Sequence, residues 1–331
     1  MPPRAGWASG PAGVIDAAVD AVAALMAWGP ERLNQATRAA ACSACFLDRP
    51  SPVPELPEVE TIKRDLEKEV VGKRIRSVDV SGMRSIRRHP NKKHFITKLE
   101  GHKIGGVKRK GKYLVIKLDS PDVLVAHLGM SGQLLRTRGT KDPLNKHTHV
   151  VITFTQGGAL RFVDPRTFGE LFVTPSDELE DHVPELAHLG FDPVDDMMSW
   201  TRFGDLLLAR KAKLKTLLMD QRFAAGIGNI YSDEILFAAG LRYDRSSDSL
   251  TSQEVRRLYR GMVETLQEAI KHRGSSLSDE QYRDLFGAMG EYQNMHKVYD
   301  REGQACRRCR STIARVKFNG RSSFLCPQCQ V

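Results

Sequence analysis

The sequence predicts an α+β protein of several domains, with a β-rich part first, a helical part second and a small metal-binding module at the end. Three observations predict it. Short Val/Ile-rich runs separated by Gly, Pro and Asp fill residues 75–173, long helical patterns follow residue 200, and two CxxC pairs lie near the C-terminus. Strands that follow one another without helices between them indicate an antiparallel sandwich or barrel.

The individual elements follow from the spacing of apolar residues. A helix is predicted from Pro57 onward, because Val59, Ile62, Leu66 and Val70 recur at helical spacing. The predicted strands are residues 75–80, 114–118, 123–127, 149–154, 160–163 and 171–173. The predicted helices of the second half are residues 203–219, 229–239 and 252–272.

The first 53 residues differ in composition from the rest of the chain. They are rich in Ala and contain four basic and four acidic residues. Residues 16–28 are predicted to form one short helix, and the prolines after residue 49 prevent its continuation. Asp16 and Asp20 interrupt the apolar stretch, which argues against a secretory signal. The segment is therefore interpreted as an appendage. Its lone pair Cys42/Cys45 lacks two further ligands, so no metal site is predicted there.

The charge of the chain points to a polyanionic partner. The 50 Lys and Arg residues exceed the 40 Asp and Glu residues, which gives a net charge of +10. Since the first 53 residues are neutral overall, the whole excess lies in residues 54–331. Such an excess favours nucleic acid ahead of an anionic membrane surface. No apolar run approaches the roughly 18 to 20 residues that span a bilayer.

The C-terminal cysteines have the spacing of a zinc site. Two CxxC pairs are separated by sixteen residues, enough for a β-hairpin that brings four thiolates around one tetrahedral ion. The four predicted ligands are Cys306, Cys309, Cys326 and Cys329. Four thiolates leave no open coordination position, so the predicted Zn²⁺ is structural. Residues 291–331 carry eight basic and three acidic residues, and Arg321 is predicted near the hairpin tip.

A glycine-rich link precedes the predicted helix that starts at Asn229. The first turn of a helix offers free backbone N–H groups and a positive dipole end, which suit a phosphate group. By itself this link is weak evidence, because a simple connection between two packed helices is the favoured interpretation without further context.

Six segments together resemble the bacterial formamidopyrimidine-DNA glycosylase family. They are PELPEVET at 54–61, RKGKY at 109–113, HLGMSG at 127–132, DPRTFG at 164–169, GIGNIY at 226–231 and the four-cysteine module. They follow the family's order and spread over residues 54–331. The resemblance implies an N-terminal β-sandwich with flanking helices at 54–185, a helix-two-turns-helix domain at 186–296 and a zinc-finger hairpin at 297–331.

The resemblance also implies a chemistry for the start of the domain. In this family the nucleophile is the free amine of an N-terminal proline, here Pro54, and its attack on C1′ expels the damaged base. An N-terminal amine has a pKa near 8, so a useful fraction is neutral at cellular pH. Glu55 is implied as general acid/base at the sugar, and Glu58 as a support for the amine or the sugar. The β- and δ-eliminations that follow cut the strand.

Further positions match residues that contact DNA or the lesion in the family. Lys112 matches a β-hairpin lysine, and His127, Asn229 and Arg321 match residues that hold phosphates. Lys215 is a further predicted phosphate contact.

Three residues match those that fill the space left by an everted nucleotide: Met130, Arg166 and Phe168. Eversion is required because a base inside a duplex is unreachable. On residue type alone, core packing would be the alternative for Met130 and Phe168.

The chain departs from the family pattern in two places. Residues 275–297, where the family has a mobile loop over the everted base, follow the familiar motif only in part. An internal proline nitrogen is an amide, so Pro54 is a nucleophile only if translation starts at position 53 or a protease cuts there. The first account is favoured.

Three functions are therefore compared. They are a glycosylase/lyase for oxidised purines (8-oxoguanine and formamidopyrimidines), an endonuclease VIII-like enzyme for oxidised pyrimidines, and a non-catalytic DNA-binding protein if the first 53 residues are retained. The first is favoured by Met130 and the motif at 164–169. The expected partner is damaged double-stranded DNA, without a membrane, for a monomer in the bacterial cytoplasm.

Overall fold

The computed structural model describes residues 54–139 and 142–331. Ser51–Val331 form one compact unit. The helix predicted at residues 16–28 and the Cys42/Cys45 pair lie outside the described residues.

Eight strands and four helices make up the N-terminal part of the described chain. The strands are β1 (Ile75–Val80), β2 (Ile104–Lys110), β3 (Tyr113–Leu118), β4 (Asp122–His127), β5 (Gln133–Thr137), β6 (Thr148–Phe154), β7 (Ala159–Val163) and β8 (Glu170–Pro175). The helices are α1 (Leu56–Val70), α2 (Lys92–Thr97), α3 (Leu179–His182) and α4 (Pro184–Ala187). Six strands agree with the predicted runs to within two residues, whereas β2 and β5 were not predicted.

The eight strands form two four-stranded antiparallel sheets in the orders β1-β6-β7-β5 and β2-β3-β4-β8. Phe162 of the first sheet and Leu114 of the second are fully buried in one core between the sheets. Helix α1 covers one side of that core with the predicted stripe Val59, Ile62, Leu66 and Val70. Its Pro57 lies in the first turn, where the missing N–H costs no helical hydrogen bond. The arrangement is a β-sandwich, so the barrel alternative is excluded.

The other face of the second sheet is covered by the short helices that follow it. Phe172 and Val125 pack there against Leu179 and Leu186 of α3 and α4.

The helical part contains α5 (Trp200–Leu208), α6 (Leu214–Met219), α7 (Asn229–Ala239) and α8 (Ser252–Lys271). The single helix predicted at 203–219 is wrong, because the chain breaks between α5 and α6. The backbone N–H groups of Leu214 and Lys215 donate to the carbonyls of Arg245 and Tyr243, at 2.8 and 3.1 Å, instead of continuing α5. Helix α7 agrees with its prediction and ends at Gly240, whose positive φ of 69° stops the helix.

The segment after α8 returns to the N-terminal domain. Tyr282 and Leu285 are buried in the core of the sandwich, and the Leu285 carbonyl accepts a hydrogen bond of 2.7 Å from the N–H of Arg136 in β5. The segment therefore joins the helical part to the sandwich.

The C-terminal module is a hairpin of β9 (Ala314–Phe318) and β10 (Arg321–Leu325). Asn319 and Gly320 form its turn with positive φ angles of 48° and 75°. Phe324 and Cys326 pack on the core of the helical part. The predicted fold class is confirmed: a β-sandwich with flanking helices, a helical domain and a cysteine-bearing hairpin. Among the described residues, no helix has the length and apolar character needed to cross a membrane.

Candidate active site

Glu55 lies at the junction of the sandwich and the helical domain. It is 2% exposed, and its carboxylate accepts hydrogen bonds from the backbone N–H groups of Gly228 (2.7 Å), Ile230 (2.8 Å) and Tyr231 (3.3 Å). These groups form the first turn of α7, where free N–H groups and the helix dipole favour an anion. A Cβ at position 228 would lie 2.5 Å from the Glu55 carboxyl carbon, so only glycine allows this approach. Burial raises the pKa of Glu55, while Lys112 and the N–H groups lower it.

Glu58 lies one turn further along α1 and is 1% exposed. Its carboxylate accepts hydrogen bonds from the backbone N–H of Glu55 (2.9 Å), the Tyr231 hydroxyl (2.5 Å) and the backbone N–H of Ser275 (2.7 Å). Burial and the neighbouring Glu55 charge raise the pKa of Glu58 to about 7, although the bond from Tyr231 acts in the opposite direction. Two adjacent buried carboxyls with raised pKa values are typical of acid–base sites.

Pro54, Glu58 and the segment after α8 line one small cavity. The wall that this segment contributes includes Ser275, Gln281 and Tyr282. These residues belong to segment 275–297, for which the resemblance to the family implies a position over the everted base. Because the resemblance also implies that Pro54 is the nucleophile, we call Pro54, Glu55, Glu58 and this wall the nucleophile pocket.

Lys112 and His127 lie at the end of the sandwich. Lys112 occupies the turn between β2 and β3, where burial lowers its pKa and the Glu55 charge raises it. His127 ends β4, and its ring centroid lies 4.6 Å from that of Tyr113. Burial lowers the pKa of His127 to about 4, so it is neutral at pH 7 and can donate one hydrogen bond to a phosphate. Both side chains line a cleft of about 570 Å³ that also reaches Arg222.

The turn at residues 164–169 presents side chains to solvent from a rigid backbone. Asp164 is fully buried, and its carboxylate accepts hydrogen bonds from the Ser131 hydroxyl and the backbone N–H groups of Arg166 (3.2 Å) and Gly169 (2.7 Å). Phe168 is 47% exposed, and the Arg166 guanidinium lies 5.3 Å from its ring centroid. The core-packing alternative for Phe168 is therefore wrong.

Met130 lies in the neighbouring turn, after β4, and is partly exposed. The two turns are in close contact, because a Cβ on Gly129, which has φ of 61°, would lie 2.6 Å from the Gly169 nitrogen. The structure thus brings Met130, Arg166 and Phe168 to one end of the sandwich.

Asn229 and Arg321 join the helical domain to the hairpin. The Asn229 side-chain amide donates a hydrogen bond of 3.1 Å to the carbonyl of Ser322, next to the exposed Arg321 at the start of β10. Besides burial, the charge of Arg321 lowers the pKa of Lys112. Asn229 stands between Gly228 and Ile230, which donate to Glu55, so its bond to Ser322 brings the hairpin next to Glu55.

Lys215 does not agree with its prediction as a phosphate contact. It is 1% exposed, and its ammonium group donates to the Asp233 carboxylate (2.7 Å) and the Ser323 hydroxyl (3.0 Å). The sequence did not reveal this, since its acidic partner lies eighteen residues away on another helix.

The four cysteines Cys306, Cys309, Cys326 and Cys329 fit one tetrahedral metal ion. They are free of disulfides, and their sulfur atoms lie within 4.8 Å of one another. A zinc ion with bonds of about 2.3 Å to four sulfurs requires sulfur–sulfur distances of about 3.8 Å. The Cys306–Cys329 and Cys309–Cys326 distances are 3.9 and 3.4 Å. The predicted structural Zn²⁺ site is confirmed.

Sequence reasoning missed two groups that hold Glu58: the Tyr231 hydroxyl and the Ser275 N–H. Tyr231 lies within the GIGNIY segment, where the resemblance implies a phosphate contact for Asn229 and no role for Tyr231. Ser275 carried no signal, since its contribution is a backbone group.

Comparisons with known proteins agree with this geometry. Three family models match: the formamidopyrimidine-DNA glycosylase N-terminal domain at residues 53–171, the H2TH domain of the same enzyme at 189–281 and the zinc finger found in FPG and IleRS at 303–331. A formamidopyrimidine-DNA glycosylase from Pelotomaculum thermopropionicum is 40% identical over 278 residues, which cover 84% of this chain and 99% of that protein.

Solved structures give the same result. The MutM (Fpg) protein of Thermus thermophilus matches with a TM-score of 0.73 and 40% identity, over 84% of this chain and 98% of that one. Lactococcus lactis Fpg, solved with DNA containing N7-benzyl-Fapy-dG, matches with a TM-score of 0.75 and 33% identity, over 84% and 99%. The chain therefore belongs to the formamidopyrimidine-DNA glycosylase family.

Proposed function

We propose that this protein is a bifunctional DNA glycosylase and AP lyase that removes oxidised purines and cuts the strand through a Schiff base at Pro54. The observation that carries the proposal is the nucleophile pocket, where Pro54 adjoins two buried carboxyls with raised pKa values. The names of the relatives and the modified purine in the DNA bound to the Lactococcus lactis protein support this substrate class.

The chemistry needs a nucleophile and a proton donor at one carbon atom. The Pro54 nitrogen bonds to C1′ as the bond from C1′ to the base breaks, and Glu55 supplies the proton that leaves with the base. The amine proton passes to Glu55, which leaves C1′ bonded to both the Pro54 nitrogen and O4′. Glu55 then gives this proton to O4′ as the C1′–O4′ bond breaks, so the sugar ring opens and an iminium forms. Loss of a proton from C2′ then breaks the C3′–O bond, and loss of a second proton breaks the C5′–O bond. Water hydrolyses the iminium and frees Pro54.

The remaining residues bind the DNA backbone and keep the nucleotide everted. Lys112, His127, Asn229 and Arg321 hold the phosphates around the lesion, and Arg321 neutralises charge on a departing phosphate. The vacated stack is filled by Met130, Arg166 and Phe168. The aromatic ring of Phe168 replaces part of the lost stacking. We assign the domains to residues 54–185, 186–296 and 297–331.

The proposal requires a free amine at Pro54. An amide nitrogen has no available lone pair, so we propose that the working enzyme begins at Pro54 and acts in the cytoplasm. Two relatives match this chain over 99% and 98% of their own length, although each match covers only 84% of this chain. These coverages support a working enzyme that starts at Pro54.

The test compares residues 54–331 with the full chain on duplexes that contain 8-oxoguanine opposite cytosine. Borohydride should trap a covalent complex with the shorter protein alone. Equal trapping by a verifiably unprocessed full chain would show that Pro54 is not the nucleophile. A parallel duplex with an oxidised pyrimidine identifies the endonuclease VIII-like alternative if it is the better substrate. Binding without trapping in both forms indicates the non-catalytic alternative.

A further inference from the structure

Lys215, Asp233 and Ser323 form a fully buried cluster, which we call the Lys215 cluster. Besides its bond from Lys215, the Asp233 carboxylate accepts hydrogen bonds from the Ser323 hydroxyl (2.7 Å) and the backbone N–H of Phe324 (2.9 Å). Lys215 is on α6, Asp233 on α7 and Ser323 on β10. The cluster therefore joins two helices of the helical domain to one strand of the hairpin.

The contacts on either side show how β10 is attached. The Asn319 side chain donates a hydrogen bond of 3.1 Å to the Thr216 hydroxyl of α6, and the Ser322 carbonyl accepts one from Asn229 of α7. The strand is thus held before and after Arg321, whose own side chain is exposed.

The position of Ser323 fixes the direction of Arg321. In a strand, residues two apart point to the same face of the sheet. Arg321 and Ser323 are two apart in β10, so the buried contact of Ser323 orients Arg321 toward the same side. The candidate site lies next to this part of β10, because Ser322 accepts a hydrogen bond from Asn229, whose neighbours Gly228 and Ile230 hold Glu55.

A buried ion pair is a poor way to gain stability but a specific way to fix geometry. Apolar residues of equal volume often stabilise a core as well, whereas removing one partner leaves an uncompensated charge. The bonds of Lys215 to Asp233 (2.7 Å) and to Ser323 (3.0 Å) connect α6 to both α7 and β10 at one point.

We propose that the Lys215 cluster holds Arg321 over the nucleophile pocket, so that Lys215 and Asp233 are positioning residues for strand cleavage. This inference rests on the proposed function. Lys215 then acts on DNA through Arg321 and not by its own contact with phosphate.

The test uses the form of the protein, full chain or residues 54–331, that borohydride traps on DNA. Two steps are measured in that form. On a duplex with a preformed abasic site, borohydride trapping reports attack by Pro54, and the rate and type of strand-cleavage products report elimination. Lys215→Met should slow elimination about tenfold while trapping changes by less than about threefold. In an Arg321→Ala background, Lys215→Met should change elimination by less than about twofold, because both act through one group.

The controls separate positioning from loss of structure. Arg245→Lys alters an ion pair with Glu254 elsewhere in the helical domain and should leave both steps unchanged. Zinc content should stay at one ion per chain in Lys215→Met. If that variant fails to fold, Ser323→Ala removes the two hydrogen bonds of the hydroxyl to Lys215 and Asp233 but leaves the ion pair intact, and it should slow elimination by a smaller factor with trapping unchanged.

Two results would overturn the inference. Equal loss of trapping and elimination, or effects of Lys215→Met and Arg321→Ala that multiply, would assign Lys215 a general structural role. If neither form of the protein is trapped at all, the proposed function fails and the inference with it.

Discussion

The nucleophile pocket and the turn at residues 164–169 both meet the DNA in the proposed function, but they are built in opposite ways. In the pocket the groups assigned to the reaction are themselves buried, and Glu55 and Glu58 accept most of their hydrogen bonds from elements distant in sequence. In the turn the buried residue is Asp164, which holds the backbone, while Arg166 and Phe168 are exposed.

The difference follows from what each region has to do. Acid–base groups need burial, because removal from water shifts their pKa toward the working pH. Side chains that enter a base stack must be free to meet DNA, and they need a rigid backbone so that little conformational freedom is lost on binding. Substitutions in the pocket should therefore change chemistry and pH dependence, whereas substitutions in the turn should change eversion.

The largest effect is expected at Glu55. In residues 54–331, Glu55→Gln removes the exchangeable proton at the sugar, and base excision should fall by about 10² to 10⁴-fold. DNA affinity should change by less than about threefold, since Glu55 is buried. Single-turnover excision and binding titrations measure both, and Glu67→Gln on the exposed face of α1 is the control. Excision within tenfold of the unsubstituted protein would remove Glu55 from the mechanism.

Glu58 should make stability depend on pH. Its folded pKa of about 7 lies above the ordinary value of 4.5, so the folded state binds the extra proton between these limits. The contribution of Glu58 to stability is therefore complete below pH 4.5 and is lost as the pH rises to 7, by up to about 3 kcal/mol. Denaturant unfolding of the full chain, where Pro54 is an uncharged amide, should show this slope.

Glu58→Gln should reduce that slope and leave the smaller part that comes from the raised pKa of Glu55, whereas Glu264→Gln, at a side chain that is 70% exposed, should keep the whole slope. Parallel pH profiles for the unsubstituted chain and Glu58→Gln would contradict the raised pKa. In residues 54–331 the charged Pro54 amine should favour the Glu58 carboxylate and reduce the slope.

Asp164→Ala should affect both stability and activity. Three donors lose their acceptor, which should lower the free energy of unfolding by about 2 kcal/mol and allow the turn to leave its conformation. The excision rate of Asp164→Ala should fall at least as far as the excision rate of Phe168→Ala. Thermal unfolding and excision rates test this beside Asp177→Ala, an exposed control. Unchanged excision would show that the turn need not be rigid.

Phe168→Ala should have the smallest effect on stability. Since the ring is half exposed, the free energy of unfolding should change by less than about 0.5 kcal/mol. Loss of stacking should weaken eversion by about 1 to 3 kcal/mol, seen as slower excision from a duplex. On a single-stranded substrate the difference should largely disappear. Leu144→Ala removes another exposed apolar side chain and should leave excision unchanged. Equal losses on both substrates would contradict a role in eversion.

The sequence alone determined the elements whose signal is local. Helix α1 and helix α7 appeared where their apolar spacing and end residues predicted them, because these signals lie within a few residues. The cysteine ligands were equally clear, since a tetrahedral ion requires paired thiolates. Strand β2 was missed because its glycines and lysines hide the alternation, and the break between α5 and α6 depends on hydrogen bonds to residues 243 and 245.

The roles of buried charges were decided only by the tertiary structure. Lys112 and Lys215 are the same residue type in equally basic or polar segments, yet one lies at a hairpin turn beside the cleft and the other is buried against Asp233. A charged residue in a sequence needs an opposite charge, but the sequence does not show which group provides it. Packing between distant elements decides whether that group is a carboxylate of the protein or a phosphate of the DNA. For the same reason, the sequence could place Glu55 next to Pro54 but not on the first turn of α7.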